Sequence, residues 1–210
     1  MTKIKLTKGE LKKQRDSLKQ YQHYLPTLQL KKQQLQIKIL EAQERWQKLK
    51  QKATQHEEAI RQWAGLFADP VHSEDPLDFK KWITPTRILT DQTNIAGANI
   101  PIFKEIHFPD VDYDFYEVPL WVDTAFSRLR ELISFLSEMF VLEKQIEILR
   151  QELRITTQRV NLFEKIKIPE CQDHIRRIRI YLGDQQANAV GISKVAKNKI
   201  LEKDLEEALA

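Results

Sequence analysis

An all-α fold dominated by one long antiparallel two-helix coiled-coil hairpin, with a small irregular middle segment, follows from three features of this 210-residue chain. A seven-residue hydrophobic repeat runs through residues 1–67, a second runs through residues 119–183, and a segment rich in proline and acid, residues 68–118, lies between them. Apolar residues at this period stay on one side of a helix, so each arm carries a seam that needs a partner. Two such seams in one chain satisfy each other by folding back.

The first arm opens at Thr7, three residues before Glu10, the spacing at which a hydroxyl and a carboxylate satisfy the free N–H groups of a first helical turn. One seam position then takes Leu11, Leu18, Leu25, Ile39, Trp46, Ala53, Ile60 and Phe67, and the other takes Tyr21, Leu28, Leu35, Ala42, Leu49, His56 and Trp63. Pro26 removes a backbone donor and predicts a local break in the hydrogen bonding. Because the seam keeps its phase on both sides, the break is a kink and not an end. Ala68-Asp69-Pro70 closes the arm.

In the middle segment, Lys81 to Thr90 and Ile100 to Phe108 have the composition of two short strands, joined through the turn-forming residues Asn94 to Asn99, which predicts a small β-hairpin. Asp110, Asp112 and Asp114 have the spacing that opens a calcium loop, but Phe115 stands where glycine is needed and Trp121 where a bidentate glutamate is needed. A solvated acidic edge is the better reading.

The second arm starts near Pro119, a residue suited to a first helical turn. Its seam runs through Val122, Phe126, Leu129, Ile133 and Leu136, then after a stammer through Met139, Leu142, Ile146, Leu149, Leu153, Thr156, Val160 and Phe163. Ile168 and Pro169 predict a break, after which Cys171, Ile175, Ile178 and Leu182 restore helical spacing as far as Gly183. Residues 184–210 form a tail that ends in the acidic stretch LEKDLEEAL. Setting Phe67 opposite Val122 gives a register in which facing residue numbers sum to about 189. Trp63, Phe67, Trp121 and Phe126 then meet at the closed end.

Composition narrows the function. The apolar residues are committed to stripes, which argues against a broad enclosed active site. The five glycines are isolated and none opens a phosphate-cradling loop, the five histidines show no paired ligand spacing, and Cys171 is the only cysteine. The expectation is a chain with no catalytic residues, no cofactor and no metal. With no apolar run of bilayer length and no signal-peptide core, a cytoplasmic location is expected. The net charge of +4 divides into +9 over residues 1–67, −6 over 68–118 and +1 over 119–210. A basic arm suits acidic protein surfaces, or nucleic acid in a free-standing coiled-coil adaptor, although it lacks the interleaved aromatics of single-strand binders.

One stretch is more specific. Arg159-Val160-Asn161-Leu162-Phe163-Glu164, followed by Ile168-Pro169 and then Ile175, Ile178 and Leu182, resembles the signature of the D-subunit family of V/A-type ATPases, with a weaker match at Leu28, Lys31 and Leu35. The family's arginine run is reduced here, with Thr157 and Gln158 preceding Arg159. The resemblance implies a central-stalk rotor that is not itself an enzyme. Its open end would sit inside the A/B hexamer, beside the small F component of the stalk and above a membrane-proximal connector to the proteolipid ring. The chain would then be peripheral to the membrane and would couple ATP turnover to proton or sodium transport. It also implies that Arg159, Asn161, Glu164 and Lys31 are partner contacts.

Overall fold

The computed structural model describes residues 4–62, 65, 83–110 and 121–209. Three long helices and one β-hairpin follow in order: α1 (Lys8–Arg61), β1 (Arg87–Ile95), β2 (Ala98–His107), α2 (Trp121–Leu162) and α3 (Ile168–Leu209), with a π-helical turn at Phe163–Lys167 between the last two. They fall into two compact units, the first made of residues 1–30 with 157–210 and the second of residues 31–156.

The second unit is a helix pair with a hairpin laid on it. Leu35, Ile39 and Ala42 of α1 and Leu142, Ile146 and Leu149 of α2 are buried, as alternating three- and four-residue steps require. Cross-helix contacts set the register: Lys31 Nζ lies 2.6 Å from Glu152 Oε1, Trp46 Nε1 donates to Glu143 Oε1 at 3.1 Å, and the His56 and Phe135 rings stand 5.2 Å apart. The two helices are therefore antiparallel, with Trp46 and Glu143 at the level that the seam register assigns them.

The hairpin differs from its expected bounds. β1 begins at Arg87 and continues through polar residues to Ile95, and its turn contains only Ala96 and Gly97. Both turn residues have positive φ, 51° and 82° respectively, as the tightest hairpin connection demands. Asn94 supports the turn by accepting from the Gly97 N–H at 3.0 Å and donating to Asn99 Oδ1 at 2.7 Å. Pro85, which has no N–H to give, precedes the first pair, and the Thr86 N–H donates to the His107 carbonyl at 2.9 Å. Strand composition alone puts β1 too early, because pairing across this turn, and not apolar content, fixes its length.

Ala98 and Ile100 point into the helix pair and join Leu35, Ile39 and Leu149 in one core, with Ile95, Ala96, Ile148 and Leu153 packed around it. Gln145 Nε2 donates to the Pro101 carbonyl, tying the hairpin to α2. Farther along, the Arg130 guanidinium lies 4.5 Å from the Phe126 ring centroid and 5.0 Å from that of Phe108, and it donates to the Pro109 carbonyl at 2.8 Å. Burial pushes the Arg130 pKa down from its ordinary value, and Asp110 opposes that shift. Of the expected closed-end aromatics, Phe126 is buried and Trp121 half-buried, while Trp63 and Phe67 lie outside the described residues. Asp112 and Asp114 lie outside them as well.

In the first unit, the Glu10 N–H donates to Thr7 Oγ1 at 3.3 Å and the Leu11 N–H to the Thr7 carbonyl at 3.0 Å, which starts α1. Pro26 does not break the helix, since α1 runs through it continuously. Thr27 Oγ1 donates to the Tyr24 carbonyl at 2.7 Å in the same turn, while the Gln22 carbonyl is the one that proline leaves without its helical donor.

The break expected at Ile168 and Pro169 is displaced. The irregularity is the preceding π-turn, where the Ile168 N–H reaches back to the Phe163 carbonyl, and α3 is already helical at Ile168. A widened turn gives the proline ring room against the carbonyl before it, so the chain absorbs Pro169 without stopping. Gly183 does not end the helix either. α3 passes through Gly183 and Gly191 to Leu209, because an interior glycine costs about 1 kcal/mol against alanine, far less than proline.

Candidate partner-binding surfaces

The signature stretch lies where α2 passes into the π-turn. Val160 is 4% exposed and faces inward, whereas Arg159, Asn161 and Glu164 are exposed. Adjacent helical residues point about 100° apart, which explains the alternation. The Tyr21 and Phe163 rings pack at 5.0 Å with a tilt of 51°, so Phe163 continues the seam as the helix widens. Lys167 Nζ meets Glu170 Oε2 at 3.2 Å, and that hydrogen bond and charge raise the Lys167 pKa from its ordinary value.

Arg159 has no ion-pair partner among the described residues. Glu152, an acid seven residues before it, is held by Lys31 across the helix pair of the second unit, and Glu164 makes no ion pair with it. Lys31 is thereby directed inward, and its ammonium also lies beneath the hairpin turn, 3.6 Å from where a Cβ on Gly97 would stand. The four residues singled out in the sequence are thus of two kinds, three on the surface of the first unit and one half-buried and ion-paired across the helices of the second.

The structure adds a surface that the seam pattern did not reveal. On α3, Ile180, Tyr181, Val190, Ile192, Val195 and Ile200 are all exposed, Ile192 at 71%. At 100° per residue they fall in every quadrant of the helix and define no single stripe. The signal was present as apolar residues without period in the tail. No helix among the described residues is long and apolar enough to cross a membrane.

Seams buried pairwise, an exposed signature at a π-turn and exposed apolar side chains along the end of α3 define a long-helical protein with surfaces left for partners. The sequence pattern of the family of the ATP synthase D subunit matches residues 10–198. The chain is 43% identical over 204 residues to the V-type ATP synthase D subunit of Borreliella burgdorferi, covering 97% of this chain and 98% of that protein. It is 34% identical over 197 residues to the Chlamydia pneumoniae protein of the same name, covering 94% and 93%. Against the Chlamydia abortus protein, also of that name, it is 34% identical over 211 residues, covering 100% and 99%. The chain belongs to the ATP synthase D-subunit family and is a non-catalytic component of a V-type ATP synthase.

Proposed function

We propose that the chain is the central-stalk rotor shaft of its complex, coupling ATP turnover in the A/B hexamer to proton or sodium transport through the membrane ring. In this reading the first unit enters the hexamer. The small F component of the stalk and a membrane-proximal connector hold the rest, and the chain is peripheral to the membrane on its cytoplasmic side. The observation that carries the reading is the end of α3. Exposed apolar side chains stand among polar ones on more than one side of this helix, and a sleeve reaches all of those sides where a flat partner cannot. Apolar contact without fixed hydrogen bonds also suits a surface that must turn inside its sleeve.

Reconstitution of the hexamer with a chain ending at Gly183 tests this. The truncated chain is expected to keep its helix pairs, as read by circular dichroism, and to lose most of its affinity for the hexamer and its coupled ATP turnover. Unchanged affinity and turnover would exclude the shaft reading.

A further inference from the structure

The first unit holds a groove of about 930 Å³ between the beginning of α1 and the first turns of α3. Its floor includes Leu11, Leu18 and Ile175, and its rim carries Lys8, Lys12, Arg15 and Lys19 from α1 with Arg176 and Arg179 from α3. Among the described residues Asp16 is the one acid lining it. The α1 cations recur at steps of four, three and four residues, so they form a straight stripe along the helix. Arg176 lies 3.6 Å from Asp173, and the other five have no ion-pair partner among the described residues. An apolar floor between cationic walls fits an acidic amphipathic helix.

The same helix supplies one. Leu201–Leu209 reads LEKDLEEAL, four acids and one lysine among regularly spaced leucines. About 25 residues separate it from its own groove, which at 1.5 Å per residue is nearly 40 Å of helix, so it cannot fold back into that groove. A second copy meets no such obstacle. We propose that the free chain forms a two-fold antiparallel dimer in which the acidic end of α3 from each copy lies in the basic groove of the other.

A single axis crossing α3 between Val190 and Gly191 produces this pairing. It brings residues 201–209 of one copy to the level of residues 172–180 of the other, twice, as a self-complementary interface requires. The same register sets Ile180 against Leu201, Asp184 against Lys197 and Arg179 against Glu202. At the axis the small residues Ala187 and Gly191, about 40° apart on one face, let the helices approach, and the exposed Val190 beside them is covered. Lys194 and Lys199 meet no acid here, so the dimer is held by apolar burial at its centre and by charge at its ends. The dimer is inferred from the chain alone. Its role, a form that covers the one face of α3 carrying Val190 until the dimer is exchanged for the hexamer, rests on the shaft reading above.

Sedimentation equilibrium of the full chain tests the dimer without the hexamer. Dimer mass at low salt, weakening as salt is added, is expected. The double variant Lys12→Glu with Arg15→Glu should dissociate at least about tenfold more readily, as should Glu202→Lys with Glu206→Lys, and combining the two pairs should restore association. Circular dichroism on each variant confirms that the helices persist. A monomer at low salt and high concentration, or reversed pairs that fail to rescue each other, would overturn the proposal. Loss of hexamer binding in the truncated chain with no dimer in the intact one would separate failure here from failure of the shaft reading.

Discussion

At the scale of single residues, burial along the seam is uneven, and the unevenness has energetic consequences. Leu149 is 1% exposed inside the cluster shared with Leu35, Ile39 and the hairpin, whereas Leu49, at an equivalent seam position, is half-buried. Truncating a fully enclosed leucine removes its transfer energy and leaves a cavity, so Leu149→Ala is expected to cost about 2–5 kcal/mol in urea unfolding, and Leu49→Ala distinctly less. Equal costs would mean that the hairpin adds nothing to the core. The seam itself was legible because a seven-residue repeat over so many turns has few other meanings. Which members are enclosed depends on a hairpin that crosses only part of the pair, and no periodicity reports that. The signature residues pose a different question. Arg159 is exposed with no ion pair among the described residues, while its neighbour Val160 is buried. Arg159→Ala should therefore leave the melting temperature unchanged and lower hexamer affinity in a salt-dependent way, whereas Val160→Asp should disrupt the arm. Normal affinity and turnover with Arg159→Ala would remove this arginine from the contact surface.

Among elements, the hairpin shows what sequence composition misses. Two short strands were expected, but their bounds came from apolar content, while the chain fixes them by a two-residue turn that forces Ala96 into left-handed backbone. A residue with a Cβ in that region carries a cost of roughly 1–2 kcal/mol, which asparagine largely avoids through its local hydrogen bonding. Ala96→Asn is expected to stabilise the second unit by up to about 1 kcal/mol, and Gly97→Val to destabilise it by about 1–2 kcal/mol. The Gly97 cost would come from backbone strain, since the nearest atom to an added Cβ is Lys31 Nζ at an ordinary 3.6 Å. Opposite signs for the two variants in thermal melts check the turn geometry, and equal signs would contradict it. The helix boundaries carry the complementary lesson. Pro26 reads as a kink within a continuing helix and the helix does continue through it, whereas Pro169 and Gly183 read as interruptions that α3 passes, the proline after a π-turn at Phe163–Lys167.

Across the whole molecule, the core is distributed unequally between the two units. The hairpin cluster and the buried run from Val122 to Leu149 lie in the second, while in the first the buried apolar residues are Val160, Cys171, Ile175 and Ile178. Beyond Leu182 every described side chain of α3 is exposed. A helix without tertiary contacts is marginal in water, whatever its propensity, because each hydrogen bond is opened at little cost. Amide hydrogen exchange on the free chain, at the dilution and salt that keep it monomeric, is accordingly expected to fall into three tiers. The α1 and α2 amides facing the hairpin cluster should be slowest, those around Tyr21, Phe163 and Ile175 intermediate, and those from Asp184 to Glu202 fastest. This ordering follows from burial alone and holds whether or not the shaft reading is right. The functional step is what happens to the fastest tier. If apolar residues around the whole circumference of α3 exist to be sheathed, assembly with the hexamer should slow exchange from Asp184 to Glu202 strongly and leave the hairpin cluster almost unchanged. A last tier that stays fast in the assembled complex would mean that this end of α3 is not enclosed, and the shaft would have to be held by the signature surface around Arg159 alone.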